Sequence, residues 1–367
     1  RAVFSGWLAL NLHETYPSMT PSTQTEIHIL NVGHGDCAII KQASGRITMI
    51  DINNGQTYDP DTERELAEAK MIRRSVLVER QLFANRFGLN FLTQQTAGGG
   101  YAAELTDPVA YFKSHFPGQS IFRFILTHPD LDHLRGLSRL VNSGVQIEHF
   151  WDTGNTICKT DFQSADDKAD WALYQRIRSS QTDTKLLKLF RHQKGKFWNE
   201  DDYGGRGDGW NILAPTPDMR DAANAAEDPN AHSYVMHLRV NEFVMVFGGD
   251  ATKSMLTNIA STYGSHLKAN IYKAAHHGRE SGYSLEAVTA MSPEYALVSV
   301  GKKPETDASN KYRGLCSKGV WSTRHRGDIV IRVDSTGNYE LEDGDMREAR
   351  IARNVLHLGG YPPRRAA

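Results

Sequence analysis

Apolar residues in this chain fall mostly in short runs broken by Gly, Asp and Asn, and less often at the three-to-four spacing of an amphipathic helix. EIHILNV (26–32), CAIIKQ (37–42) and RITMID (46–51) are β-rich runs separated by Gly and Asp turns, which predicts an antiparallel start. The pattern changes from about 52 to 105, where DTERELAEAKMIRRSVLVERQLFANRFG has helical spacing and QQTAGGGY follows it, so this stretch reads as an insertion. DPVAYFKSHF (107–116) predicts a short helix, IFRFILT (121–127) a strand, and LRGLSRLVNSG (134–144) the next helix. After the strand QIEHFWD (146–152), residues 156–209 are charged and helical and then Gly-rich, and read as a second insertion. WNILAP, SYVMHLRV, EFVMVFGGD, NIYKAAHHG, YALVSVG and DIVIRVD predict a second block of strands, with helices at TKSMLTNIAST and across 284–291. Two blocks of strands with helices outside them predict an α/β, two-sheet sandwich. No repeat of fixed period interrupts this organisation.

Composition narrows the class. At 367 residues, 40% hydrophobic and 23% charged, the chain can bury a large core as one domain with insertions or as two smaller ones. A net charge of -1 gives no global basic field, so a polyanionic partner has to be held by a local patch. Two runs qualify: SKGVWSTRHRG, with Lys318, Arg324, His325 and Arg326, and KLLKLFRHQKGKFW, from Lys185 to Trp198. Each interleaves cations with aromatic stacking positions, and each reads equally as a solvated face around a buried Trp. Cys37, Cys158 and Cys316 are too scattered for a disulfide framework, which suits a reducing compartment and a cytoplasmic location. No apolar run approaches the roughly 18 residues of a membrane span. The first residue is Arg1 and not Met, which is compatible with an upstream segment.

The candidate chemistry lies in THPDLDHLRG (127–136), where His128, Asp130, Asp132 and His133 crowd the end of a predicted strand. Alternate side chains of a strand share a face, so His128 and Asp130 can converge, with Asp132 and His133 at the turn that follows. Imidazole nitrogens and carboxylate oxygens at this spacing suit two adjacent divalent ions. A helix cap would use one Asp and leave both histidines unexplained. VFGGDAT places Asp250, and YKAAHHGRESG places His276 and His277, at the ends of two further strands.

Taken in order, NVGHGDCAIIK, MIDINNG, THPDLDHLRG, SYVMHL, VFGGDAT, YKAAHHGRESG and LVSVG resemble the metallo-β-lactamase superfamily. Within it they resemble the branch typified by the soluble domain of the ComEC DNA-uptake channel, where HxDxDH stands for the commoner HxHxDH. The likeness covers roughly 26–335. It implies a four-layer αββα sandwich over 26–343 with insertions at about 52–120 and 156–209, an N-terminal arm (1–25) and a C-terminal tail (344–367). His128 and Asp130 would hold one metal, Asp132 and His133 the other, with Asp250 bridging and His276 or His277 completing the second site. Asp51 would orient a ligand, and Gly33, Gly35 and Asp36 match the branch's Gly-x-Gly-Asp turn. His232 and Asn230 are alternatives for the third ligand of the first metal. Lys273 matches a Lys preceding the His pair. The chain departs from the branch where Arg279 follows Gly278, with Ser281 further on, and where KKPETDASNKY leaves Asp307 or Lys311 in place of an expected His.

Two divalent ions about 3.5–4 Å apart hold a bridging hydroxide and clamp the oxygens of the group under attack. Asp132 could orient that nucleophile or take its proton, while Lys273 or Arg279 neutralises developing charge. Zinc is the expected metal, with manganese or iron as alternatives for so carboxylate-rich a set. The resemblance implies a phosphodiesterase or nuclease, with Arg279, Ser281, Arg324 and Arg326 as candidate substrate contacts. The alternatives are a small-molecule hydrolase acting on a lactone, thioester, β-lactam or phosphoester, and a non-catalytic module that docks a protein partner through its insertions.

Overall fold

The computed structural model describes residues 24–58, 62–65, 96–97, 101–102, 104–202 and 205–344. The arm, the tail and most of the first insertion lie outside the described residues. The strands are β1 (Thr25–Ile29), β2 (Ala38–Lys41), β3 (Ile47–Ile50), a short ribbon of β4 (Thr96–Ala97) and β5 (Tyr101–Ala102), β6 (Ile121–Ile125), β7 (Ile147–Asp152), β8 (Lys185–Lys188) and β9 (Trp210–Ala214). They continue with β10 (Val235–Val240), β11 (Phe243–Phe247), β12 (Ile271–Lys273), β13 (Tyr295–Val298), β14 (Gly319–Ser322), β15 (Ile329–Val333) and β16 (Tyr339–Glu342). An eight-stranded sheet runs β16-β15-β1-β2-β3-β6-β7-β8, and a six-stranded sheet runs β14-β13-β12-β11-β10-β9. Each sheet is mixed. Its early pairs are antiparallel, while β3-β6-β7-β8 and β11-β12-β13-β14 are parallel.

The helices are α1 (Pro108–His115), α2 (Leu137–Asn142), α3 (Ala165–Arg178), α4 (Pro217–Ala226), α5 (Lys253–Tyr263), α6 (Leu285–Met291), α7 (Ser309–Arg313) and α8 (Thr323–Arg326). Several starts are set by side chains that accept a backbone N–H: Asp107 for α1, Ser164 for α3, Thr216 for α4, Thr252 for α5 and Ser284 for α6.

Strand β11 shows why the layers form. Its run FVMVF is buried throughout, as expected of a strand covered on both faces. Phe243, Met245 and Phe247 pack between the sheets with Ile27, Ile29, Ile125, Trp151 and Trp210. Val244 and Val246 face the other way, onto Met255, Leu256 and Ile259 of α5 and Val288 of α6. On the opposite side, Phe112 of α1, Leu137 and Leu140 of α2 and Trp171 and Tyr174 of α3 cover Met49, Phe124 and Phe150. The order is helices, sheet, sheet, helices: the αββα sandwich that the strand blocks predict.

Within 156–209, α3 buries Trp171, Tyr174 and Ile177 in the outer core, and β8 adds a parallel edge strand beside β7. These parts pack as layers of the sandwich. KLLK is short, with exposed Lys185 and Lys188 at its ends, which is how an edge strand blunts itself, so it resembles a charged loop in sequence. The remainder of the stretch is tied down by Asp208, whose Oδ2 lies 2.7 Å from Arg123 Nη2 of β6, both side chains being 1% exposed. Arg46 Nε reaches the same oxygen at 3.0 Å, and Ser44 Oγ donates to Oδ1 at 2.7 Å. Burial lowers the Arg123 guanidinium to about 10, against the opposing pull of Asp208, so it stays charged near neutrality.

Candidate metal centre

The candidate residues follow the carboxyl ends of four strands, β3 and β6 from one sheet and β11 and β12 from the other. In each pair the neighbours run parallel, so their ends open on the same edge, the usual place for a site in such sheets. Asp51 ends β3, and His128 to His133 follow β6. Asp250 follows β11, and His276 and His277 follow β12. Gly248 lets the last two loops close, because a Cβ there would lie 2.8 Å from Ala275 Cβ. Asp51, His276 and His277 all have positive φ, at 57°, 52° and 51°, a conformation that costs a non-glycine residue on the order of 1–3 kcal/mol and gathers at functional sites.

Asp51 organises the β6 loop. Its Oδ1 accepts from the Thr127 amide and its Oδ2 from the Thr127 hydroxyl, both at 2.7 Å, and its Oδ2 lies 2.8 Å from His133 Nδ1. His277 Nδ1 lies 3.0 Å from the Ser299 carbonyl. With Nδ1 donating, each ring presents the Nε2 lone pair inward, as a metal-binding histidine does. Around Asp250 the distances are 3.3 Å to His133 Nε2, 3.4 Å to His277 Nε2, 3.8 Å to His276 Nε2 and 3.9 Å to His128 Nε2. Asp132 Oδ2 lies 3.3 Å from His277 Nε2.

The buried Nε2 atoms of His128, His133 and His277 and the buried Oδ1 of Asp250 have no hydrogen-bond partner. Leaving four such atoms unsatisfied in one place is costly, and a divalent cation satisfies all of them. The donor set therefore fits one. Ligand atoms within 4.8 Å of one another form four overlapping groups among the described residues: His128, His133, Asp250; His34, Asp132, His277; Asp36, Asp51, His133; and Asp36, Asp250, His277. His133 thus groups with His128 and Asp250 and also with Asp36 and Asp51; the sequence resemblance implies a place for it beside Asp132.

The charges agree with this geometry. Burial pushes the Asp250 carboxyl up, yet the facing His277, His133 and His128 hold it well below the usual carboxylate range. Asp132 is likewise held low against burial by His133 and His277. Burial alone would lower His133, but Asp250, Asp51 and Asp132 raise it well above an ordinary imidazole. The site is an electronegative seat whose histidines answer to carboxylates.

The remaining expected residues are placed as follows. Asp130 Oδ2 is 3.5 Å from His128 Nε2, and its Oδ1 accepts from Lys159 Nζ at 2.7 Å. Asp130 is lowered to about 2, its own burial being outweighed by His128 and Lys159. His276 is the outer ring of the pair, its Nδ1 taken by Ser281 Oγ at 2.8 Å. His232 and Asn230 share one 3-10 turn. His232 is buried with neither ring nitrogen hydrogen-bonded and is lowered to about 4 by desolvation, but it joins none of the four groups of ligand atoms. Lys273 is buried against Asp36 at 2.7 Å. The pair ties Lys273 to the turn that carries Asp36.

Arg324 pairs with Glu65 and donates to the Gly301 carbonyl. Arg326 pairs with Asp343 at 2.7 Å and lies over the Trp321 ring. Lys194 and Lys196 face Glu200 and Asp202, and Lys318 faces Glu294. Five cations of the basic runs thus have acidic partners, which local charge counting did not reveal. Lys311 pairs with Glu280, and Asp307 accepts from the Ser309 amide. Sequence reasoning also missed Lys159 and His34. The signal for His34 lies in GHGD, whose glycines also mark a turn.

No family model and no curated protein matches the chain. Among solved structures, the metallo-β-lactamase fold protein YhfI from Bacillus subtilis is 10% identical, with 87% of this chain and 99% of that one covered and a TM-score of 0.40. CmlA, a diiron β-hydroxylase from Streptomyces venezuelae, is 11% identical over 84% of this chain and 54% of that one, with a TM-score of 0.43, so this chain spans about half its length. Igni18, a metallo hydrolase from the archaeon Ignicoccus hospitalis, is 11% identical over 83% and 98%, with a TM-score of 0.40.

Proposed function

We propose that this chain is a metal-dependent hydrolase acting on a phosphodiester. The observation that carries the reading is the set of four buried, unsatisfied donor atoms on His128, His133, His277 and Asp250 aimed at one place. His128, His133 and Asp250 would hold one divalent ion, and Asp132 and His277 a second, with Asp250 between them. Such ions supply Lewis-acid polarisation of a phosphoryl oxygen and acidify water beside them. Asp132, about one-quarter exposed and kept ionised, would orient water there and take its proton. Asp51 fixes the His133 ring through Nδ1, and Ser299 fixes that of His277.

Arg279 supports an anionic substrate. Its guanidinium lies 3.0 Å from His34 Nε2 and 3.5 Å from His276 Nε2, and it has no carboxylate partner among the described residues. Its charge is therefore left for the oxygens of a substrate. A groove of about 680 Å³ leads from His34 and Asn53 past Arg135 and Arg139, the size of an ordinary small-ligand site.

A second reading, a small-molecule esterase or lactonase, draws on that same groove. Arg135 and Arg139 are paired there with Asp167 and Asp107, and Asp166 and Asp170 also line it. The test combines metal analysis with turnover on bis-nitrophenyl phosphate, cyclic nucleotides, RNA, single- and double-stranded DNA, lactones and aryl esters. Metal-dependent cleavage of the phosphodiesters is expected. Cleavage of lactones or esters alone would install the second reading, and no turnover by fully metal-loaded protein on any member would remove both.

A further inference from the structure

We propose that His34 is a protein ligand of the second ion, beside Asp132 and His277; this rests on the metal reading above. The grouping of ligand atoms is the starting point. Asp132 and His277, with Asp250 shared between the ions, leave room on the second ion for one further protein donor. His34 supplies it: its ligand atom lies within 4.8 Å of those of Asp132 and His277, and its ring centroid is 4.6 Å from that of His277.

The backbone holds His34 in that place. A Cβ on Gly35, which has φ 149°, would come within 2.5 Å of both Asn53 Nδ2 and the Asp132 carbonyl, so only glycine lets the turn press against the Asp132 loop. The Asp36 amide donates to the Asp132 carbonyl at 3.2 Å. Asn53 Nδ2 donates to the carbonyls of Val32 at 3.1 Å and His34 at 2.9 Å. The turn is thereby tied to the loop that carries Asp132 and to the chain beyond β3.

Arg279 has a defined part in this arrangement. A neutral imidazole has one lone pair, so His34 either accepts from the guanidinium or binds an ion. His276 Nε2 offers the guanidinium a neighbouring acceptor at 3.5 Å, so the Arg279 contact can pass from His34 to His276. Arg279 therefore competes with the second ion and not with the first.

The experiment titrates metal-free full-length protein with Zn²⁺ against a chromophoric chelator, and with Co²⁺ followed by its visible absorption. Wild type is expected to bind two ions. His34→Ala should keep the first and weaken the second at least about tenfold, the scale on which metal-site residues act, with a changed Co²⁺ spectrum, whereas Arg279→Gln should tighten the second. His34→Gln, which preserves bulk and polarity, serves as the comparison if the Ala variant loses its far-UV circular dichroism. Two ions bound by the His34 variants with unchanged affinity and spectrum would overturn the assignment and leave the metal reading standing. Wild-type protein that binds no ion would overturn both.

Discussion

Asp250→Ala protein is expected to lose both ions and to fall by at least about a thousandfold in turnover, a larger loss than removal of a single oxyanion donor causes. Asp250 is the carboxylate that faces His128, His133, His276 and His277 at 3.3–3.9 Å, so neither ion is completed without it. Its fold should survive, because the inter-sheet core of Phe243, Met245, Phe247 and their partners does not depend on this side chain. Asp250→Asn, which preserves shape and removes the charge, should lose metal in the same way. Metal content by mass spectrometry and far-UV circular dichroism check the two halves of the expectation. Two bound ions and undiminished turnover in either variant would remove Asp250 from the centre of the site.

The largest effect on stability is expected at Asp208→Ala, which leaves the Arg123 guanidinium buried without its carboxylate. Breaking a buried pair by removing one partner costs about 3–5 kcal/mol. Here the same change also releases Arg46 and Ser44 from the Gly-rich segment. Urea unfolding with tryptophan fluorescence measures this. Metal affinity should be unaffected, since neither residue touches the ligand loops. A loss under about 1 kcal/mol would mean that water reaches the pair.

The strands that end in chemistry were the most legible part of the sequence. FRFIL followed by THPDLDH, VFG by GD and IYKAA by HH each announce a buried strand that stops at a polar cluster, and the structure brings these ends to one edge. The orientation of the ligands was not legible. The Asp51 contact that fixes the His133 ring depends on the parallel register of β3 and β6, which no local spacing encodes. Lys159 meets Asp130 from the loop between β7 and α3, 29 positions away in sequence. The same holds for the basic runs, whose acidic partners come from other elements: Asp343 for Arg326, Glu65 for Arg324 and Glu294 for Lys318.

The donors of the centre come from both halves of the sandwich, His128 and His133 from the eight-stranded sheet and Asp250 and His277 from the six-stranded one. An ion seated among them is also a rivet between the layers. Binding to the folded chain alone adds about 2.7 kcal/mol at a free-ion concentration one hundred times its dissociation constant. Chelation should therefore lower the melting temperature and open the strand-end loops to proteases. A cell short of metal would then lose the protein itself, through turnover of the loosened fold, and not merely its reaction.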